Sequence, residues 1–338
     1  MAPEAEFSLT QQPCEPYWSE NYLFALYDAG RDIGMWLHLG TVPTDWAFWE
    51  DRIYVTLPGG QGVLAVMSYS RTAKRENPAG AVLRFDCREP FARWSVEFDG
   101  FVLHTSEQAM DAGEGTSFRR RLSIRLEVTC VSPVWDARTA PGEHDQPGMD
   151  AQSWAKEHYE QLVIAQGVMT LDGEDYTINA TGWRDHSRGP RGGNTQEPWG
   201  GHVIAGCQFP SGRKFLFSRY WRPDGTINLA GGMVIDERGK SHVAEVVTAP
   251  ELRELVLRGE ELPIHLRWEG GELQTSMKTE TSIWIPRERK HMVGRDRHSE
   301  LKDMYVLNWG PVDWEDEVGH VYLERSAHLN ALPVQIGG

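Results

Sequence analysis

Leu122-Ser123-Ile124-Arg125-Leu126-Glu127-Val128-Thr129-Cys130-Val131 alternates without a break. Leu122, Ile124, Leu126, Val128 and Cys130 fall on one face, and Ser123, Arg125, Glu127 and Thr129 fall on the other. A period of two is that of a strand with one face buried and one wet. Working outward, turn signals recur at short intervals on both sides. Asp28-Ala29-Gly30 separates YLFALY from IGMWLHL, and Pro58-Gly59-Gly60 separates RIYVTL from VLAVMSYS. Asp99-Gly100, Asp172-Gly173, Ser211-Gly212, Pro223-Asp224-Gly225, Glu237-Arg238-Gly239 and Gly270-Gly271 follow. Short β-rich runs punctuated this often predict an all-β, mostly antiparallel sandwich or barrel built from hairpins. Helical signals are few. Asp150 is placed to cap a short helix through SWAKEH, and PELRELVLRG reads either as helix or as strand.

The chain has 338 residues, a length that suits two domains. Hydrophobic residues make up 40% and charged residues 25%, so a sizeable core is available. The stretch DARTAPGEHDQPGMD, residues 136–150, is rich in Pro, Gly and charge and has no apolar period. It divides the chain into an N-terminal tail (1–17), a first β domain (18–140), a linker with a short helix (141–155) and a second β domain (156–335). The net charge of -15 repels phosphate backbones and anionic membrane surfaces, so no nucleic-acid partner is expected. No run approaches the roughly 18 apolar residues of a membrane span, and the first residues lack the basic and apolar regions of a secretory signal. A soluble cytoplasmic protein is the expectation. Cys14, Cys87, Cys130 and Cys207 lie far apart, which fits scattered thiols better than a zinc knuckle or redox pair, though a disulfide stays open.

Several catalytic motifs fail on inspection. Gly60-Gln61-Gly62-Val63-Leu64-Ala65 mimics a dinucleotide fingerprint, but the VLAVMSYS behind it reads as strand where a helix is required. No P-loop, no G-x-S-x-G elbow and no H-E-x-x-H occurs. The fourteen Trp residues are the compositional oddity. They read as barrel core, as the wall of a cavity for a planar or polyene ligand, or as both.

The densest chemistry is Gly182-Trp183-Arg184-Asp185-His186-Ser187-Arg188-Gly189-Pro190-Arg191, which follows the strand-like YTINAT. Arg, Asp and His in succession offer an ion pair, a general acid or base and an orienting donor; alternatively they pin a tight turn. Upstream, Tyr159-Glu160-Gln161 opens the strand-like EQLVIAQGVMTL. Downstream, GHVYLERSAH puts His320, Tyr322, Glu324, Ser326 and His328 on one face. Such a face cannot pack against oil without partners, so it meets either solvent or a polar cavity.

These elements together resemble the carotenoid 1,2-hydratase (hydroxyneurosporene synthase)/AttH-like/kievitone-hydratase-like lipocalin-like superfamily. The resemblance rests on Tyr-Glu-Gln, a hairpin "dG", the string G-x-R-D-H-S-x-G-x-R and a late G-x-x-x-x-E strand, and spans roughly residues 18–328. It implies two lipocalin-like, calycin-type β-barrels with few short helices, a cavity in or between them, and no organic cofactor. Arg184, Asp185, His186 and Ser187 match its core motif, Glu160 and Gln161 its upstream element, and Glu324 its late strand. Where members usually carry Trp after R-D-H-S, this chain has Arg188. If that guanidinium faces the cavity, it favours an anionic or phenolic group.

The expected chemistry is a cofactor-independent lyase, a hydratase/dehydratase or a retro-aldol type C–C lyase, acting on a hydrophobic aromatic, phenolic or isoprenoid molecule. Asp185 or Glu160 would be the acid/base in a dry pocket, His186 a relay, and Arg184 or Arg188 the holder of an oxyanion. Tyr159, Gln161, Trp183, Trp221, Tyr322 and Glu324 are the further expected substrate contacts. An isomerase or cyclase on a similar skeleton is one alternative, and a lipocalin-like carrier without chemistry is another. No cofactor or metal is expected; a set of Glu160, His186, Glu324 and His328 has no support in spacing. The partner expected is the small molecule, with a homodimer left open.

Overall fold

The computed structural model describes residues 1–71, 76–115, 118–136, 156–191, 200–286, 292–295 and 303–328. Its first ten strands are β1 (Trp18–Asp28), β2 (Ile33–Val42), β3 (Asp45–Leu57), β4 (Gly62–Arg71), β5 (Leu83–Glu89), β6 (Arg93–Thr105), β7 (Phe118–Cys130), β8 (Trp135–Asp136), β9 (Glu157–Leu171) and β10 (Glu174–Pro190). Eight of them run in the order β10-β1-β2-β3-β4-β6-β7-β9, and β9 pairs with β10, so the sheet closes into a barrel. The next nine are β11 (Gly201–Gln208), β12 (Lys214–Trp221), β13 (Ile227–Ile235), β14 (Ser241–Thr248), β15 (Glu261–Trp268), β16 (Gly271–Lys278), β17 (Thr281–Pro286), β18 (Asp303–Trp314) and β19 (Glu317–His328). They follow the order β16-β15-β14-β13-β12-β11-β19-β18-β17, and a bridge between Met277 and Val312 joins β16 to β18. Every strand pairing is antiparallel. The expected all-β architecture of two barrels is the one observed. Among the described residues the α-helical content is one short helix, α1 (Glu107–Ala112), capped by Ser106, whose side chain accepts from Ala109 N.

The stretch that opened the sequence reading becomes β7. Leu122, Ile124, Leu126 and Val128 point into the first barrel, where they join Phe24, Trp94 and Phe98 in one core. The outer face of β7 is wet, and its burial alternates accordingly. By contrast β1 is buried almost throughout. Its even-numbered Tyr22, Phe24 and Leu26 fill the first barrel, while Leu23, Ala25 and Tyr27 enter a second core shared with Ile204, Leu216, Leu307 and Trp309 of the second barrel. A third core, including Val203, Phe217, Leu266 and Leu323, fills the second barrel. The barrels therefore pack wall to wall, and strands at the contact, such as β1, are buried on both faces.

The expected division at residues 141–155 does not coincide with the boundary between barrels. Those residues, and the helix through SWAKEH for the most part, lie outside the described residues; Glu157 and His158 already belong to β9. More importantly, β9 and β10 were expected in the second domain and belong to the first barrel. β9 pairs with β7 from Leu122/Leu171 to Cys130/Val163, and β10 pairs with β1 from Trp18/Pro190 to Tyr27/Thr181. Without them β1 and β7 would present open edges, which closure removes. The sheets change over between Pro190 and Gly201. PELRELVLRG is neither helix nor strand. The four thiols are free, and no described helix is long and apolar enough to cross a membrane.

Candidate active site

Strand periodicity divides the R-D-H-S string between two environments. Along β10, Trp183, Asp185 and Ser187 face outward to the second barrel, while Arg184, His186 and Arg188 face into the first. Register extends both faces to the neighbouring strands. Asp185 lies opposite Glu160 on β9 and Leu23 on β1, and Ser187 lies opposite His158 and Asn21.

The outward residues open on a cavity of about 570 Å³ between the two barrels, a volume within the usual range for a small-molecule site. Leu23, Trp36, Trp183, Ile204, Ile285 and Leu307 supply apolar wall. Asp185, His158, Arg191, His202, Tyr220 and Glu324 supply its chemistry. The His158 Nε2 sits 3.1 Å from Glu160 Oε1 and 3.4 Å from Asp185 Oδ1, linking the two carboxyl groups. Glu160 is fully buried behind this wall, where its other oxygen accepts from Trp183 Nε1 at 2.9 Å. Asp185 accepts weakly from Ser187 Oγ at 3.4 Å, and Ser187 in turn accepts from Arg191 Nη2 at 2.7 Å.

Burial pushes the Asp185 carboxyl up to about 6, with Glu160 and Glu324 acting the same way and His158 and Arg191 opposing. For His158 burial works against the charged ring, but Asp185 and Glu160 outweigh it and the net direction is upward. Burial also lowers the Arg191 guanidinium. It raises the Tyr220 phenol well above its ordinary value, with Glu160, Asp185 and Glu324 adding to the effect. On the second barrel, His202 Nε2 donates to Glu324 Oε1 at 2.9 Å, and the Ser326 hydroxyl lies 2.7 Å from His202 Nδ1. Trp36 Nε1 and the Tyr322 hydroxyl both donate to Glu324 Oε2. His202 stacks on Tyr220, centroids 5.1 Å apart and planes 21° apart.

The inward residues form a separate network. Arg184 Nη2 donates to Glu6 at 2.5 Å and to Gln161 at 2.7 Å, and its guanidinium lies over the rings of Trp94 and Tyr159. The Tyr159 hydroxyl is 2.5 Å from Glu6 Oε1 and 2.6 Å from His186 Nδ1. His186 stacks on Tyr22, and burial lowers its imidazole. Arg188 reaches Glu157, Glu20 and the carbonyl of Phe7. The expectation that Arg184, His186 and Arg188 serve the cavity is therefore corrected: the pleat turns each of them to the opposite face. Tyr159 and Gln161 share that inward face, Gln161 donating to the Phe91 and Ser132 carbonyls. Trp221 packs against the core of the second barrel. Asp185, Trp183 and Glu324 do reach the cavity, and Tyr322 stands directly behind Glu324. Of the late strand, Tyr322 and Glu324 meet the neighbouring barrel and not solvent, through Trp183 and Trp36, and Ser326 lies against His202; the His328 side chain lies outside the described residues. Among described residues no cluster of His, Cys, Asp and Glu has metal-holding geometry.

Sequence reasoning missed His158, His202 and Tyr220, and gave Arg191 no role. His158 was legible in principle, since it precedes Glu160 by one strand period. Nothing local marks His202, which meets Glu324 only because β11 and β19 pair with Ile204 opposite Glu324.

A solved structure of a protein assigned as AttH from Nitrosomonas europaea is similar to this chain, with a TM-score of 0.59, 12% identity and 91% of each chain covered. That of kievitone hydratase from Nectria haematococca is similar at a TM-score of 0.51 and 13% identity, covering 95% of this chain and 93% of the other. Both names belong to the superfamily that the R-D-H-S string resembles, and the likeness is one of fold. No curated protein matches the sequence. A family model described as a domain of unknown function matches residues 3–287, and the chain belongs to that family, DUF7064.

Proposed function

We propose that the cavity between the barrels is the active site of a lyase, a hydratase/dehydratase or retro-aldol type C–C lyase, on a hydrophobic aromatic, phenolic or isoprenoid molecule. The observation that carries the reading is Asp185: a carboxyl 15% exposed, opening on an indole-walled hollow and backed by His158 and Glu160. A carboxyl whose affinity for its proton burial raises to about 6 can deliver that proton to an alkene carbon, or as its anion take one from a hydroxyl. Chemistry of that kind needs placed acids and bases and no redox partner. Arg191 takes the part expected of Arg188, since its guanidinium lies in the wall beside Ser187 and suits a phenolate or enolate oxygen. Trp36 and Trp183 offer π faces to a planar skeleton or a developing cation. That a protein of similar fold is named kievitone hydratase supports water addition as the first reaction to try.

The test is incubation with a panel of phenolic and isoprenoid alkenes and their hydrated forms, kievitone included, read by mass spectrometry. Gain or loss of water or of a small aldehyde is the expected result. Conversion without change of mass would make the enzyme an isomerase or cyclase, and ligand returned unaltered while bound would make it a carrier. Asp185→Asn is expected to lower turnover by about 10²–10⁴-fold. A folded Asp185→Asn protein with full activity removes Asp185 from this role.

A further inference from the structure

The two walls of the cavity repeat one constellation. On β10 the outward side chains run Trp183, Asp185, Ser187; His158 lies across from Ser187 on one neighbouring strand, and Leu23 across from Asp185 on the other. On β19 they run Tyr322, Glu324, Ser326; His202 lies across from Ser326, and Leu307 across from Glu324. The leading aromatics meet, Trp183 and Tyr322 stacking at 5.7 Å and 24°. Asp185 and Glu324 thus occupy matching stations, one on each barrel, and both open on the same hollow.

The stations differ in what their carboxyl groups receive. Glu324 accepts from His202, Trp36 and Tyr322. A carboxylate has about four acceptor sites, so one remains for a ligand. Among the described residues Asp185 receives only the long contact from Ser187 and shares His158 with Glu160. Three donors stabilise an anion; a carboxyl poorly supplied with donors in the same dry space keeps its proton. Resting on the reading of this cavity as an active site, we propose that Glu324, oriented by His202, is the general base paired with Asp185 as general acid. The substrate class is then an alkene with water, or the alcohol formed from them, spanning the gap between barrels.

The step balances as hydration. The Asp185 O–H bond breaks and a C–H bond forms at one alkene carbon. A water oxygen bonds to the adjacent carbon as Glu324 takes its proton, and solvent returns that proton to Asp185. Dehydration is the reverse. The shifts run in the matching directions: burial sends Asp185 up, whereas at Glu324 burial is outweighed by the His202, Tyr322 and Trp36 bonds and the net direction is down. Among the described residues, the other titratable or charged groups lining the cavity or acting on the pair are His38 from β2, Glu50 and Arg52 from β3, Tyr69 from β4, His158 and Glu160 from β9, Arg191 beyond β10, His202 from β11, Tyr220 from β12, Tyr305 from β18 and Tyr322 from β19.

Two measurements test the assignment. With a panel substrate, turnover against pH is expected to be bell-shaped; Asp185→Asn should remove the limb near 6, and Glu324→Gln the acidic limb, with a loss of about 10²–10⁴-fold. Glu324→Asp should restore part of it. A Glu324→Gln enzyme as fast as the parent overturns the proposal while leaving the cavity an active site. Infrared difference spectra between pH 4.5 and 8 need no substrate (both values chosen to bracket a midpoint of about 6). A protonated-carboxyl band should titrate near 6, vanish in Asp185→Asn and persist in Glu324→Gln. The band vanishing in Glu324→Gln instead would reverse the roles and overturn the proposal. A panel on which the parent enzyme turns nothing over counts against the active-site reading, and the infrared result still decides which carboxyl holds the proton.

Discussion

Arg184 and Asp185 are neighbours in sequence with opposite fates. Arg184 is 2% exposed and meets Glu6, itself fully buried, whose other oxygen accepts from Phe91 N and Trp94 Nε1. Removing one partner of a buried ion pair leaves the other charge uncompensated. Glu6→Ala is therefore expected to destabilise the protein by about 3–5 kcal/mol, read from urea midpoints; a change within experimental error would show that water replaces the carboxylate at no cost. The pair holds the Glu6 carboxyl below its ordinary value although burial pulls upward. Its contribution is accordingly present above the usual carboxylate range and lost as pH falls through the depressed value. Asp185 carries the opposite sign. Between about 4 and 6 the folded protein keeps a proton that the unfolded chain releases, so stability falls as pH rises through that window. Asp185→Asn removes the penalty, and a gain of about 1–3 kcal/mol above pH 6, absent near pH 4, is the expected pattern in thermal unfolding.

At the scale of the element, β10 decides the site. One strand divides its side chains between the first barrel and the cavity, and it does so only while its register against β1 and β9 holds. Gly182 marks where that register is tightest, because a Cβ there would lie 2.1 Å from the carbonyl oxygen of Ala25 on β1. Gly182→Ala is expected to cost at least about 1–3 kcal/mol and to lower turnover as well, since Asp185 lies three residues on. Unfolding midpoints indistinguishable from the parent would show that β1 yields without consequence. The alternation of β7 and β19 was legible in the chain, because period two is a property of neighbours in sequence. Which face of β10 looked at a cavity was not. Both faces of that strand are buried, so polarity gives no bias, and Arg184 and His186 read locally as well as Asp185 for an active-site role.

At the scale of the whole molecule, the cavity exists because two barrels meet along the outer walls of β1, β2 and β10 on one side and β11, β18 and β19 on the other. Gly34 on β2 is part of that contact: a Cβ there would come within 2.8 Å of the Trp309 indole on β18. Gly34→Ala is expected to wedge the barrels apart, costing about 1–3 kcal/mol and weakening retention of panel ligands in the same protein. Unchanged ligand affinity together with unchanged stability would show that the walls of the cavity do not depend on this approach. Composition, turn spacing and strand alternation determined the all-β class, because each is set by residues near one another in the chain. The R-D-H-S string likewise carried the resemblance in fold. The assignment of β9 and β10 to the first barrel, the diversion of Arg184, His186 and Arg188 to its interior, and the meeting of Asp185 with His158 and of Glu324 with His202 were decided only in three dimensions. Strand pairing and wall-to-wall packing join residues from a few tens to more than a hundred positions apart, and no local pattern records which face of a strand will meet the neighbouring barrel.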